Sequence, residues 1–129
     1  MSHAHQRLRD SAAAVQGNRC YYCSCPMWHK DLRRFCEALG LTTAQGQNLR
    51  CTAEHLHARR DGGKNTPGNV VAACSYCNRQ RHKRPKVLEP AEYRRFVQRR
   101  MASGRWLIGL LGWAGRDIAA LWRSAPSEA

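Results

Sequence analysis

LRCTAEHLHARRDGGKNTPGNVVAACSYCNRQRHKR, residues 49–84, is the stretch that decides the fold. Residues 49–56 predict a β-strand, and residues 59–69 are rich in the Asp, Gly, Asn and Pro that form turns. The apolar run at residues 70–72 predicts a second short strand. Residues 74–84 predict a helix that ends at Pro85, because proline cannot continue the helical hydrogen-bond ladder. Strand, loop, strand and helix together make a ββα unit.

Two C-x-x-C pairs frame this unit. The four cysteines are Cys20, Cys23, Cys74 and Cys77. Two residues between thiolates let both sulfurs approach one ion, and two such turns complete a tetrahedral zinc site. Four thiolates leave no open coordination position, so the predicted role is structural. A redox role for either pair would need a βαβ context, which the pattern lacks.

The remaining cysteines leave one alternative open. The chain has 7 cysteines, and this odd number fits four ligands plus spare thiols better than complete disulfide pairing. Cys25 is a possible substitute for one of the four ligands, because it lies close to Cys23. Cys36 and Cys51 are expected to be small buried hydrophobic residues.

A second set of polar residues lies between and beside the cysteine pairs. Glu54 and His55 are adjacent on the first strand, and Asn69 stands where the second strand begins. Asn78 and His82 are four positions apart, so they share one face of the predicted helix. With Glu54 they form a mixed carboxylate, amide and imidazole set, which suits Mg²⁺ or Mn²⁺.

These residues resemble the HNH, or ββα-metal, nucleases, especially those with a Cys₄ zinc site. The resemblance covers about residues 19–84, and the separations from His55 to Asn69 and from Asn69 to Asn78 agree with the family's usual spacing. The matching positions are Cys20, Cys23, Glu54, His55, Gly62, Gly63, Asn69, Cys74, Cys77, Asn78 and His82.

The resemblance implies a metal-dependent endonuclease that hydrolyses DNA phosphodiester bonds and leaves 5′-phosphate and 3′-hydroxyl ends. In that scheme His55 is the general base, and Asn69 hydrogen-bonds to the backbone or ring of His55. Glu54, Asn78 and His82 hold one Mg²⁺ or Mn²⁺ ion against the scissile phosphate.

Basic residues near the predicted helix are expected to contact neighbouring phosphates. These are Arg81, Lys83 and Arg84. His57, which lies two residues beyond His55, is interpreted as a partly exposed strand residue rather than a substrate contact.

The charge of the chain also points to nucleic acid. The 129 residues include 22 Lys and Arg against 9 Asp and Glu, a formal net charge of +13. Lys and Arg contacts to phosphates dominate nucleic-acid affinity, so DNA is the expected partner. An anionic membrane surface is a weaker interpretation, because the arginines are spread through turn-rich as well as helical segments.

Two functions without catalysis compete with the nuclease. A zinc-stabilised nucleic-acid-binding module explains the charge and the cysteines equally well. It does not explain why Glu54, His55 and two asparagines occupy positions that suit a metal ion. A protein-interaction adaptor with a zinc knuckle agrees least with the charge.

The predicted fold class is α+β, a zinc-stapled ββα-metal core with flanking helices. We expect an N-terminal leader at residues 1–18, the nuclease core at 19–88 and a helical extension at 89–129. Predicted helices cover residues 7–15, 31–39, 90–101 and 104–123. The last of these is apolar, and it favours packing or a homodimer contact over a lipid or small-molecule cofactor site.

No membrane segment is expected, because the apolar run at residues 106–114 is much shorter than the ~20 residues that a bilayer span needs. The first ten residues are polar and basic, with no apolar run after them. We therefore expect a reducing, cytoplasmic compartment, in which cysteines bind metal rather than form disulfides.

Overall fold

The structure, a computed structural model, describes residues 3–128. Residues 1, 2 and 129 lie outside the described residues. The predicted segments at residues 1–18 and 89–129 are therefore described except at these outermost positions. The helices are α1 (His3–Val15), α2 (Leu32–Leu39), α3 (Thr43–Gln47), α4 (Ser75–Lys83), α5 (Pro90–Ala102), α6 (Leu107–Leu110) and α7 (Ile118–Ser124). The strands are β1 (Cys51–His55) and β2 (Val70–Cys74).

The ββα unit is present, and the predicted α+β class is confirmed. Strands β1 and β2 pair antiparallel, with Cys51 opposite Cys74 at one end of the ladder and His55 opposite Val70 at the other. Helix α4 follows β2 without a loop, and the Cys74 side chain accepts a hydrogen bond from the Cys77 backbone N–H as its N-cap. The first strand is shorter than predicted, and the second extends to Cys74.

Helix α1 is longer than predicted and packs against both strands. Its last turn is followed by Gln16, whose side-chain amide bonds to both backbone groups of Ala72 on β2, at 2.8 and 2.9 Å. The predicted leader is therefore a docked helix that covers the two-stranded ladder.

Helix α2 has the caps that its sequence predicts. The Asp31 side chain accepts a hydrogen bond from the Arg34 backbone N–H, and Gly40 adopts a left-handed conformation with φ 67°. Helix α3 was not predicted. Its signal is a capping box, in which Thr42 and Gln45 each bond the other's backbone N–H.

The single helix predicted over residues 104–123 is not formed. Instead α6 and α7 are separated by a turn in which Gly112 and Gly115 have φ values of 67° and 79°. Glycine adopts these left-handed angles more readily than other residues, and a left-handed residue ends a right-handed helix. The apolar residues still pack inward, because Leu107, Trp113 and Leu121 are buried in the common core.

Within residues 3–128, every helix is too short or too polar to cross a membrane.

Candidate functional site

The four predicted zinc ligands come together as one buried cluster. The Sγ atoms of Cys20, Cys23, Cys74 and Cys77 all lie within 4.8 Å of one another. Tetrahedral zinc with bonds of ~2.3 Å requires sulfurs ~3.8 Å apart, and the Cys23 and Cys74 sulfurs are 3.9 Å apart. The donor set and its spacing therefore fit a zinc ion.

Polar hydrogens surround these sulfurs. The backbone N–H groups of Tyr22 and Cys74 point at Cys20 Sγ, at 3.4 and 3.3 Å. The Trp106 indole N–H donates to Cys77 Sγ at 3.4 Å. Such donors stabilise thiolate charge and orient the ligands around an ion.

The pKa values of the four grouped thiols are shifted in different directions. Burial tends to raise the pKa of Cys20, but hydrogen bonds from the three other thiols outweigh it and hold that pKa well below its usual range. The pKa of Cys23 is raised mainly by its hydrogen bond with Cys20, and those of Cys74 and Cys77 are raised mainly by burial. A metal ion bound by the four sulfurs would displace their protons.

The other cysteines lie outside this cluster. Cys25, the possible substitute ligand, is buried but is not one of the four grouped sulfurs. Cys36 and Cys51 are buried among core residues, as the sequence predicts.

Four residues of the second predicted set line a cavity of about 340 Å³ where β1 meets α4 and the loop after β1, and Asn69 is not among its lining residues. Its walls are formed by Ala53, Glu54, His55, Ala58, Arg59, Arg60, Asn78 and His82. A larger cavity of about 890 Å³ lies between α1 and the C-terminal segment and contains none of these residues. The smaller cavity is the candidate site, because carboxylate, amide and imidazole side chains line it together.

Glu54 is the most buried residue of this cavity, at 1 % exposure. Its carboxylate lies 2.9 Å from His82 Nε2 and 3.4 Å from an Arg81 guanidinium nitrogen. The Tyr22 hydroxyl donates to it at 3.4 Å. Burial, with the nearby Glu54 charge, raises the pKa of Tyr22, so the phenol stays neutral and remains a donor. The charge of Glu54 is therefore compensated although the residue is buried.

Helix α4 presents different residues to different surroundings. Cys77 and Arg81 share one face and are buried, whereas Asn78 and His82 share the next face and line the cavity. The Asn78 Nδ2 donates to Thr52 Oγ1 at 3.0 Å and to the Ala53 carbonyl at 3.3 Å. With its nitrogen held by β1, the amide offers its oxygen as the remaining ligand atom.

His55 is the last residue of β1 and is half-buried. Its Nε2 lies 2.7 Å from Asn65 Oδ1, in the loop between the strands. His5 of α1 places its own Nε2 2.7 Å from the same oxygen. Sequence reasoning missed both partners, because no local pattern links a helix at one end of the chain to this loop.

Asn69 contacts the loop rather than His55. Its Oδ1 accepts from the His57 backbone N–H at 2.8 Å, and its Nδ2 donates to the carbonyls of His57 and Lys64 at 3.0 and 2.9 Å. The expected bond to the ring or backbone of His55 is replaced by these three. Asn69 therefore holds the loop that leaves His55.

The predicted phosphate contacts have three different environments. Arg81 is 3 % exposed, and it donates to the carbonyls of His55, Leu56 and Leu88 besides its pairing with Glu54. Lys83 is exposed, and the Arg84 guanidinium lies 4.9 Å from the centre of the Phe96 ring.

Two exposed arginines that were not predicted line the cavity itself, namely Arg59 and Arg60. Their only sequence signal was a basic pair one residue after the Glu54-His55-Leu56-His57 stretch. The buried Arg81 is thus an internal support, and the basic groups at the cavity mouth come from the loop.

Comparison with protein families identifies the central segment. A family model described as HNH endonuclease matches residues 36–84, which contain both strands, α4 and all of the cavity-lining residues. Neither the curated proteins nor the solved structures yielded a match to the chain. Residues 36–84 are thus similar to the HNH endonuclease family, and the four-cysteine cluster lies half inside and half before that segment.

Proposed function

We propose that the chain is an endonuclease that hydrolyses DNA phosphodiester bonds in the cavity between β1 and α4. The observation that carries this proposal is the 2.9 Å contact between Glu54 and His82, beside Asn78 and His55 in one cavity of the HNH domain. A module that only binds nucleic acid has no need of this buried, mutually compensated set.

The residues fit one divalent ion. Glu54 and His82 already bring a carboxylate oxygen and an imidazole nitrogen to one point, and Asn78 offers an amide oxygen beside them. Mixed oxygen and imidazole ligands suit Mg²⁺ or Mn²⁺, which we propose as the catalytic ion. When bound, such an ion supplies electrostatic stabilisation of the charge that develops on the phosphate and the leaving oxygen.

His55 is the proposed general base. Its half-buried ring lines the cavity and is held by the Asn65 amide oxygen. A neutral imidazole in this position removes a proton from the attacking water. Asn69 supports this step indirectly, because it fixes the loop that begins after His55.

Phosphate binding is proposed for the exposed basic groups around the cavity. Arg59 and Arg60 line it directly, and Lys83 lies at the end of α4 near His82. Arg81 is not one of these groups, because its guanidinium is engaged inside the protein. Arg84 remains a proposed contact at the edge of this surface. The formal charge of +13 favours DNA as the partner.

We propose the cysteine cluster as a structural zinc site. All seven cysteines are free thiols, which agrees with the proposed reducing cytoplasm. A homodimer through the C-terminal segment stays a prediction. Leu110 in α6 is 52 % exposed and is the apolar residue available for such a contact.

The test is nicking of supercoiled plasmid by purified protein with Mg²⁺ or Mn²⁺. Wild type should nick, EDTA should abolish nicking, and His55→Ala should lower the rate by about 10²- to 10⁴-fold while keeping its zinc content. His57→Ala, which removes an exposed ring two residues away, is the matched control and should nick normally. DNA binding by wild type without cleavage under either ion would instead support the binding module.

A further inference from the structure

The N-terminal helix reaches the catalytic cavity through one side chain. His5 lies in the first turn of α1, outside the segment that the HNH family model matches. Its ring meets the His55 ring edge-on, with centroids 5.4 Å apart. Both Nε2 atoms lie 2.7 Å from Asn65 Oδ1. One amide oxygen thus joins a helix, a loop and the last residue of β1.

This arrangement favours one of the two ring nitrogens of His55 as the site of the proton. An amide oxygen accepts hydrogen bonds and cannot donate them, and its two lone pairs suffice for two N–H groups. The Arg59 guanidinium also lies 3.5 Å from His5 Nε2, but the 2.7 Å contacts to Asn65 Oδ1 are much shorter and favour Nε2–H on both histidines. His55 is then left with an unprotonated Nδ1, the atom that can accept a proton from water.

Asn65 needs support to do this, because its side chain belongs to an exposed residue in a turn-rich loop. His5 supplies that support from a helix whose position is fixed elsewhere. Gln16, just beyond the other end of α1, bonds both backbone groups of Ala72, and Ala13 is buried in the core. The helix therefore holds His5 over the loop independently of the His55 contact.

We propose that His5 is a positioning residue of the catalytic site, which acts through Asn65 to hold His55 in its Nε2–H tautomer. The proposal deepens the nuclease function and rests on it for the kinetic effect, but the tautomer itself can be measured without activity. In this view α1 is part of the catalytic site. The HNH segment alone lacks the second donor that fixes Asn65.

The experiment compares wild type with His5→Ala, His5→Gln and, as the matched control, His3→Ala on the same helix, where the side chain is exposed. Ring ¹⁵N chemical shifts of His55 are recorded in mildly alkaline buffer, which keeps imidazole rings neutral. Wild type and His3→Ala should show a protonated Nε2 and an unprotonated Nδ1. In His5→Ala the Nδ1 and Nε2 shifts of His55 should move towards each other as the tautomers mix. His5→Gln should restore the wild-type pattern, since the glutamine amide N–H can again donate to Asn65.

The kinetic arm uses the same four proteins in plasmid nicking. His5→Ala should lower kcat by about tenfold and leave KM unchanged. This is the lower end of the loss seen when a supporting hydrogen-bond partner is removed. His5→Gln should recover most of the lost kcat. Identical His55 shifts in His5→Ala and wild type would overturn the proposal, whatever the nicking rates. Absence of nicking in all four proteins would count against the nuclease function alone, and the shifts would still decide the role of His5. If His5→Ala does not fold, Asn65→Ala replaces it and should give the same mixed tautomers.

Discussion

The two ends of the β1–β2 ladder are built in opposite ways. At the Cys51–Cys74 end, the four grouped cysteines are at most 5 % exposed and receive N–H donors from backbone and indole groups. At the His55–Val70 end, the ladder opens into a loop, and the His82 side chain is 30 % exposed. Helix α4 belongs to both ends, since it carries Cys77 in its first turn and His82 near its last residue. The closed end fixes the position of the helix, and the open end leaves room for a substrate.

Replacing one of the proposed zinc ligands should have the largest effect and would test whether the closed end supports the whole fold. Structural zinc contributes about 10–16 kcal/mol in zinc-finger peptides, more than the net stability of ~5–15 kcal/mol of an ordinary domain. Cys77→Ser should therefore bind no zinc and be largely unfolded by circular dichroism.

The matched control for that variant is Cys36→Ala, which removes a buried thiol outside the cluster. It should retain one zinc ion per chain by elemental analysis and lose only about 1 kcal/mol of stability, as expected for a small cavity. Equal zinc loss in both variants would mean that the cluster is not the metal site.

Glu54 is the residue where stability and catalysis overlap, so its substitution should have the next largest effect. In Glu54→Gln the buried Arg81 guanidinium loses its charged partner, which should cost about 3 kcal/mol in urea unfolding and abolish nicking. His82→Gln alters a more exposed ligand of the same proposed ion and should cost under ~1 kcal/mol with the same loss of nicking. Zinc content should be normal in both. Equal urea unfolding midpoints for Glu54→Gln and His82→Gln would show that the pairing of Arg81 with Glu54 contributes no stability of its own.

The difference between the two ends also explains what the sequence could predict. The cluster was predictable, because each C-x-x-C pair is local and its chemistry requires all four thiolates at one ion. The ββα order and the shared face of Asn78 and His82 also follow from local periodicity. The burial of Arg81 was not visible, because a basic run is usually solvated and only the packed fold shows that this position, one turn after Cys77, faces inward. The contact between His5 and Asn65 depends on how α1 docks, which no local pattern specifies.

Asn69 provides the smallest of these effects and tests whether the open end can be loosened by itself. Its side chain makes three hydrogen bonds, two to the His57 backbone and one to the Lys64 carbonyl, so it holds the loop much as the zinc would hold the cysteine turns. Because these bonds are near the surface, Asn69→Ala should cost only about 1–2 kcal/mol. The backbone N–H of His57 should exchange with solvent faster than in wild type, and nicking should slow because Asn65 and the loop arginines are less well held.

The backbone N–H groups of Cys74 and Cys77 should keep their protection, since their acceptors belong to the cluster. Faster exchange at both ends of the ladder would instead mean that the loop and the cluster unfold as one unit, and that the contrast between them is one of exposure and not of stability.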